Sequence, residues 1–203
     1  MEREYERRLI GCFDERGIYV YQAFSPDTVK NAVALGTFGK GFGMDRMTWI
    51  KPSFGWMLHR SGYGTKSRQE AIARIHLKHE GFLTILQHAT PSSYDHSLFA
   101  SQGEWGLALK KSEVRYQWDP DRDLQDHKLA RRAIQIGISG QMVYRYVREW
   151  IIGIEDITGL AHAIKATVED NEELPAVPVE TEYSVSPELE RRLGYDFDDS
   201  PGA

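Results

Sequence analysis

Apolar and polar residues alternate most regularly over residues 17–24 (GIYVYQAF) and 71–78 (AIARIHLK), and a period of two predicts half-buried strands there. In the second, Arg74, His76 and Lys78 share one face. Ser25, Pro26 and Asp27 close the first strand and open a helix: Ser25 or Asp27 caps it, and proline suits its first turn. Val29, Ala32, Val33 and Leu35 give that helix an apolar face, and Gly36 ends it. Further strands are predicted over residues 46–51, 106–110, 114–118, 133–138 and 151–157, the fourth of these being the most apolar. Helices are predicted over 53–59, 81–87, 141–150 (Met142, Tyr146 and Trp150 at helical spacing) and 158–168, capped by Thr158. Residues 119–123 (DPDRD) predict a turn, and residues 36–43, with four glycines and two phenylalanines, predict a loop with unusual backbone angles. The pattern predicts an α+β fold, with a mixed, largely antiparallel sheet flanked by short helices in a single compact domain over residues 1–168. An acidic tail over 169–203 then packs on or covers the domain.

Composition narrows the class. With 203 residues, 41% hydrophobic and 27% charged, the chain predicts one globular domain and excludes wholesale disorder and fibrous repeats. No apolar run approaches the roughly 18 residues of a membrane span, and the start MEREYERRLIG is too charged for a signal peptide. A cytoplasmic protein without a membrane partner is expected; nothing in the sequence sets an oligomeric state. The single Cys12 excludes an internal disulfide and a cysteine-based zinc site. His76 and His79 are three apart in a strand-like segment, so they face opposite ways, and no metal is expected. GxSxG is absent, which leaves Ser53 and Ser61 as turn or cap residues, or as hydroxyls facing a ligand.

The net charge of −5 hides its distribution. Residues 169–203 set eleven carboxylates against Arg191 and Arg192, a balance of −9 that leaves +4 on the remainder. Residues 40–79 set eight cations (Lys40, Arg46, Lys51, Arg60, Lys66, Arg68, Arg74 and Lys78) against Asp45 and Glu70, a balance of +6. Cations interleaved with Trp49, Trp56 and Tyr63 suit a ligand that carries both phosphate and a base, a nucleotide or a nucleic-acid strand. The tail is then a candidate cover for that basic cleft. In the strand over 151–157, Glu155 and Asp156 point to opposite faces: one approaches a cleft or a salt bridge, the other meets solvent or caps the next helix.

YVYQAF at 19–24, RMTWIKPSFGWMLHRSGY at 46–63, QWDP at 117–120 and IEDIT at 154–158 together resemble the family catalogued as domain of unknown function 4291, over roughly residues 10–195. The chain also resembles the ADP-ribosyltransferase superfamily, whose mixed sheet grips NAD with a first-strand aromatic–His or Arg element, a later Ser or Thr, and a final-strand glutamate. On this resemblance Tyr21 and Gln22 take the first place, Thr48 or Ser53 the second and Glu155 the third, with Gln22 standing where that superfamily has His or Arg. It implies NAD as cofactor, with Arg46, Lys51 or Arg60 on the pyrophosphate and Trp49 or Tyr63 stacked on nicotinamide. Glu155 would bond the ribose 2′-hydroxyl and stabilise an oxocarbenium-like transition state. Ser61 and Lys66 complete the candidate site. ADP-ribose transfer to nucleic acid or protein is thus one expectation; a non-enzymatic module binding RNA or single-stranded DNA is the other.

Overall fold

The two alternating segments pair with each other: in the computed structural model, which describes residues 6–195, Gly17–Phe24 and Ala71–Lys78 run antiparallel in unbroken register from Gly17↔Lys78 to Phe24↔Ala71. In chain order the elements are β1 (Glu6–Arg7), β2 (Ile10–Gly11), β3 (Gly17–Phe24), α1 (Pro26–Leu35), β4 (Thr48–Ile50), α2 (Phe54–Ser61), β5 (Ala71–Lys78) and α3 (His79–Gln87). They continue with β6 (Ala89–Pro91), α4 (Gln102–Lys111), β7 (Val114–Arg122), β8 (Lys128–Ile138) and α5 (Gly140–Arg145), which runs into a π-helical turn (Tyr146–Trp150). The chain then forms β9 (Ile151–Asp156), α6 (Thr158–Asp170), β10 (Thr181–Glu182) and α7 (Pro187–Arg192).

The expected sheet is divided. One sheet has the order β3-β5-β9, all antiparallel. In the other, β8 carries β7 on one edge and, in succession along the other, β4 and the short β1; β6 extends it beyond β7. Only β1 with β8 and β6 with β7 are parallel, so the fold is mixed and largely antiparallel. Ile18, Val20, Ile75 and Leu77 from the first sheet and Ile134, Ile136 and Ile138 from the second bury one shared core, which Phe82, Tyr146 and Trp150 complete.

Two local expectations fail. Residues 106–110 lie in α4 rather than a strand. Ser101 caps that helix by accepting from the Glu104 amide, and the short GLAL alternation is compatible with either period when no tertiary partner enforces one. The turn expected at 119–123 begins later, because β7 continues to Arg122 and absorbs Pro120 at a register shift between Pro120 and Arg122. The reversal falls at 123–127, where the Asp123 carboxylate accepts from the amides of Gln125 and His127.

The acidic segment after residue 168 starts inside a helix, since α6 runs to Asp170. Beyond it the described residues form a strap across the domain. Leu174 and Val177 pack beside Tyr21 and Phe54, β10 pairs with β2, and Tyr183, Leu189, Leu193 and Tyr195 are buried in the core. Residues 196–203 lie outside the described part. Glu180 ties the strap to α2 by accepting the Phe54 amide at 2.6 Å. Burial pushes the Glu180 carboxyl up to about 7, and the neighbouring carboxylate of Asp121 adds to the rise. A carboxyl whose native value is raised stabilises the fold in acid and loses that contribution as pH rises through the native value. Between pH 5 and 8 the wild-type chain is therefore expected to lose about 1–2 kcal/mol relative to Glu180→Gln, after discounting for partial exposure. Urea titrations at the two pH values measure the difference.

Candidate functional site

β3 and β4 touch at one point. Tyr21 and Lys51 exchange both backbone hydrogen bonds, at 2.7 and 3.1 Å. From there toward Phe24 on one strand and Thr48 on the other they diverge, because β3 follows β5 while β4 follows β8. Gln22 holds the fork: its amide nitrogen donates to Thr48 Oγ1 at 2.6 Å and to the Trp49 carbonyl at 3.2 Å, and its oxygen accepts from the Tyr146 hydroxyl at 2.8 Å. The fork opens into a cavity of about 400 Å³ lined by Gln22, Thr48, Trp49 and Lys51, with Arg46 and Arg68. At Gly137 on β8 a Cβ would come within 2.6 Å of Met47 Sδ and 3.0 Å of Trp49 Cε2, so a larger residue there would displace two side chains that line the opening.

Lys51 is the unusual member. It is 8% exposed, yet its ammonium makes no hydrogen bond or ion pair among the described residues. Burial pushes its pKa down to about 8; the Arg60 guanidinium adds to the fall and Asp119 opposes it. A buried charge without a partner is costly, and groups perturbed in this way beside a cavity are concentrated at functional sites. The cavity's described lining carries three cations, Arg46, Lys51 and Arg68, and no carboxylate. Phe24, Phe42 and Trp49 supply ring surfaces. The glycine-rich loop contributes through its end, Phe42 and Gly43, with Phe42 stacked on Phe38 at 4.4 Å.

Of the residues singled out from sequence, Gln22, Arg46, Thr48, Trp49 and Lys51 come together here. The others do not. Ser53 caps α2, accepting from the Trp56 amide and donating to Asp121 at 2.7 Å. Ser61 is fully buried, donating to the Met57 carbonyl and accepting from the Gly64 amide. Tyr63 sits at a left-handed φ of 59° and donates to the Leu124 carbonyl. Lys66 closes the C-terminus of α2 on the carbonyls of His59 and Arg60, and Arg60 lies over the Trp56 ring at 5.9 Å.

Glu155 stands apart for a reason of register. Tyr21, Arg74 and Glu155 are aligned across the first sheet and share a face, so Gln22, one residue on, projects from the opposite face. Glu155 pairs with Arg74 at 2.6 Å and is not among the residues lining the cavity. Its neighbour Asp156 accepts the Thr158 amide at the start of α6, so Thr158, expected as the cap, is instead the first helical residue. Cys12 is half-buried, His76 bonds Asp14 and His79 bonds Tyr183, and no group of three metal-ligating side chains gathers among the described residues. No described helix is long and apolar enough to cross a membrane.

Sequence reasoning counted Arg68 in the basic stretch without placing it in the site and passed over Gln69; both reach the cavity from the loop before β5. Arg68 has a φ of 63°, and nothing periodic marks a loop residue whose position is set by a left-handed backbone. It likewise missed Tyr146, whose helical spacing gave its burial but not its bond to Gln22. No curated protein matches the chain. A family model described as "Domain of unknown function (DUF4291)" matches residues 8–183.

Proposed function

The chain belongs to the DUF4291 family, and from its own residues we propose that it binds a nucleotide, most concretely NAD, in the cavity where β3 and β4 part. The observation that carries this is Lys51: a side chain nine-tenths buried, whose ammonium has no hydrogen-bond or ion-pair partner among the described residues and which lines a cavity whose other charges are Arg46 and Arg68. A pyrophosphate would meet Lys51 and the two arginines, and the aromatic walls would take a ring. ADP-ribosyl transfer to protein or nucleic acid is the reaction proposed for such a site. In it the bond from the ribose C1′ to nicotinamide would break, the electron pair would leave with nicotinamide, and an acceptor nucleophile would form the new bond to C1′ and release its proton to solvent. Glu155 takes no part in this proposal, being paired with Arg74 on the far face of the sheet. A half-open cavity of about 400 Å³ suits one nucleotide better than a strand.

Thermal unfolding with NAD, ATP and a short oligonucleotide tests the proposal. NAD at millimolar concentration is expected to raise the unfolding temperature by a few degrees, equally in Glu155→Gln and in the wild type. Because a bound anion favours charged Lys51, affinity is expected to weaken as pH rises through about 8. An unchanged unfolding temperature with every nucleotide overturns nucleotide binding, and a response to the oligonucleotide alone favours the nucleic-acid module.

A further inference from the structure

On the far side of the second sheet lies another fork. β6 follows β7 only from Ala89↔Val114 to Pro91↔Tyr116, and then the chain leaves the strand edge. The gap is a cavity of about 340 Å³ lined by Asp119, Gln117, Trp118, Tyr94, Asp95 and Arg7. Its charges differ from those of the first cavity. Asp95 is held by Arg7 at 3.2 Å and by Ser97. Asp119, by contrast, accepts only from two neutral amides, Gln117 at 2.8 Å on one oxygen and Gln135 at 2.7 Å on the other, and no cation pairs with it among the described residues. Each amide fixes one carboxylate oxygen and leaves a second lone pair on each free. The carboxylate is thereby oriented as a two-pronged acceptor without being neutralised; Tyr94 also lines the cavity, and Trp118 borders it from the opposite face of β7.

We propose that this second cavity is a binding site for a planar, N–H-rich group: a guanidinium, or the N1–H and 2-amino edge of a guanine. Such groups present two parallel donors to a carboxylate, and a flat face suits the Tyr94 ring that lines the cavity. The side chains between the two cavities follow one sheet face. Gln117 and Gln135 are register partners, and Lys51, one residue beyond the Ile50↔Ile136 pair, comes next to Gln135 on the same face. The field of Asp119 reaches Lys51 and favours its charged form.

Calorimetric titration of the full chain with agmatine and with guanosine, as separate probes, tests the site. One-to-one binding of at least one probe is expected, weakened tenfold or more in Asp119→Asn. Ser93 also lines this cavity and is exposed, so Ser93→Trp blocks the site by bulk and tests it even where Asp119→Asn fails to fold. Lys51→Met is expected to keep this binding, which separates the proposal from that of the first cavity. Binding of agmatine alone assigns a guanidine ligand, and of guanosine alone a base. If neither binds, or if binding survives both cavity variants, the proposal is overturned.

Discussion

Lys51→Met is expected to unfold at a higher temperature than the wild-type chain at pH 7, and to lose its response to NAD. The native ammonium is held down to about 8 from an ordinary value of 10.5, chiefly by burial. That displacement corresponds to a cost on the order of 3 kcal/mol for keeping the charged form in the folded chain. The unfolded chain keeps its proton up to the ordinary value, so the cost is full below pH 8 and fades as pH rises from 8 toward 10.5. Methionine has similar reach without the charge, and a gain of this order shifts the unfolding temperature of a chain this size by about 5 °C or more. The advantage of the variant should narrow at pH 10. Lower stability of Lys51→Met at pH 7 would mean that the ammonium is well solvated or paired, and would remove the central support for anion binding. A residue that destabilises the empty fold and serves the ligand is the trade expected at binding sites.

Gly55→Ala is expected to be the most disruptive single methyl group near the site. A Cβ there would run into the Arg122 carbonyl oxygen and crowd that of Asp123. Both are backbone atoms at the β7–β8 reversal, so no side-chain rotation relieves the clash. The variant must lift α2 from β7, which also moves Ser53 from Asp121 and Phe54 from Glu180. A loss of about 3 kcal/mol or more in a denaturant titration is expected, since overpacking against backbone falls at the severe end of such substitutions. Gly159→Ala, where a Cβ meets nothing within 4 Å, is the matched control and should be near neutral.

The separation between legible and illegible features follows from range. Period-two alternation identified β3 and β5, and proline with a following glycine bounded α1, because those signals act within one element. Ser53 was readable as a cap, and the local balance of +6 in residues 40–79 pointed to the stretch that supplies Arg46, Lys51 and Arg68. The glycine-rich loop was readable as a loop, although only its last two residues reach the cavity.

Other assignments needed partners distant in sequence. Residues 106–110 became helical because no strand lies beside them to reward alternation, and β7 ran past Pro120 because β8 accommodates a register shift there. Glu155 occupies a strand as expected, but its face is fixed by alignment with Arg74 and Tyr21, a register that no local pattern encodes. By itself, then, the sequence determined the class of fold, most of its elements and the kind of charge the basic stretch would present. The tertiary structure alone decided which of those cations is buried without a partner among the described residues, and that the described strap of acidic sequence is built into the core and does not line the β3–β4 cavity. Local preference sets each strand and helix over a few residues, whereas a cavity arises only where long-range pairing makes two strands diverge.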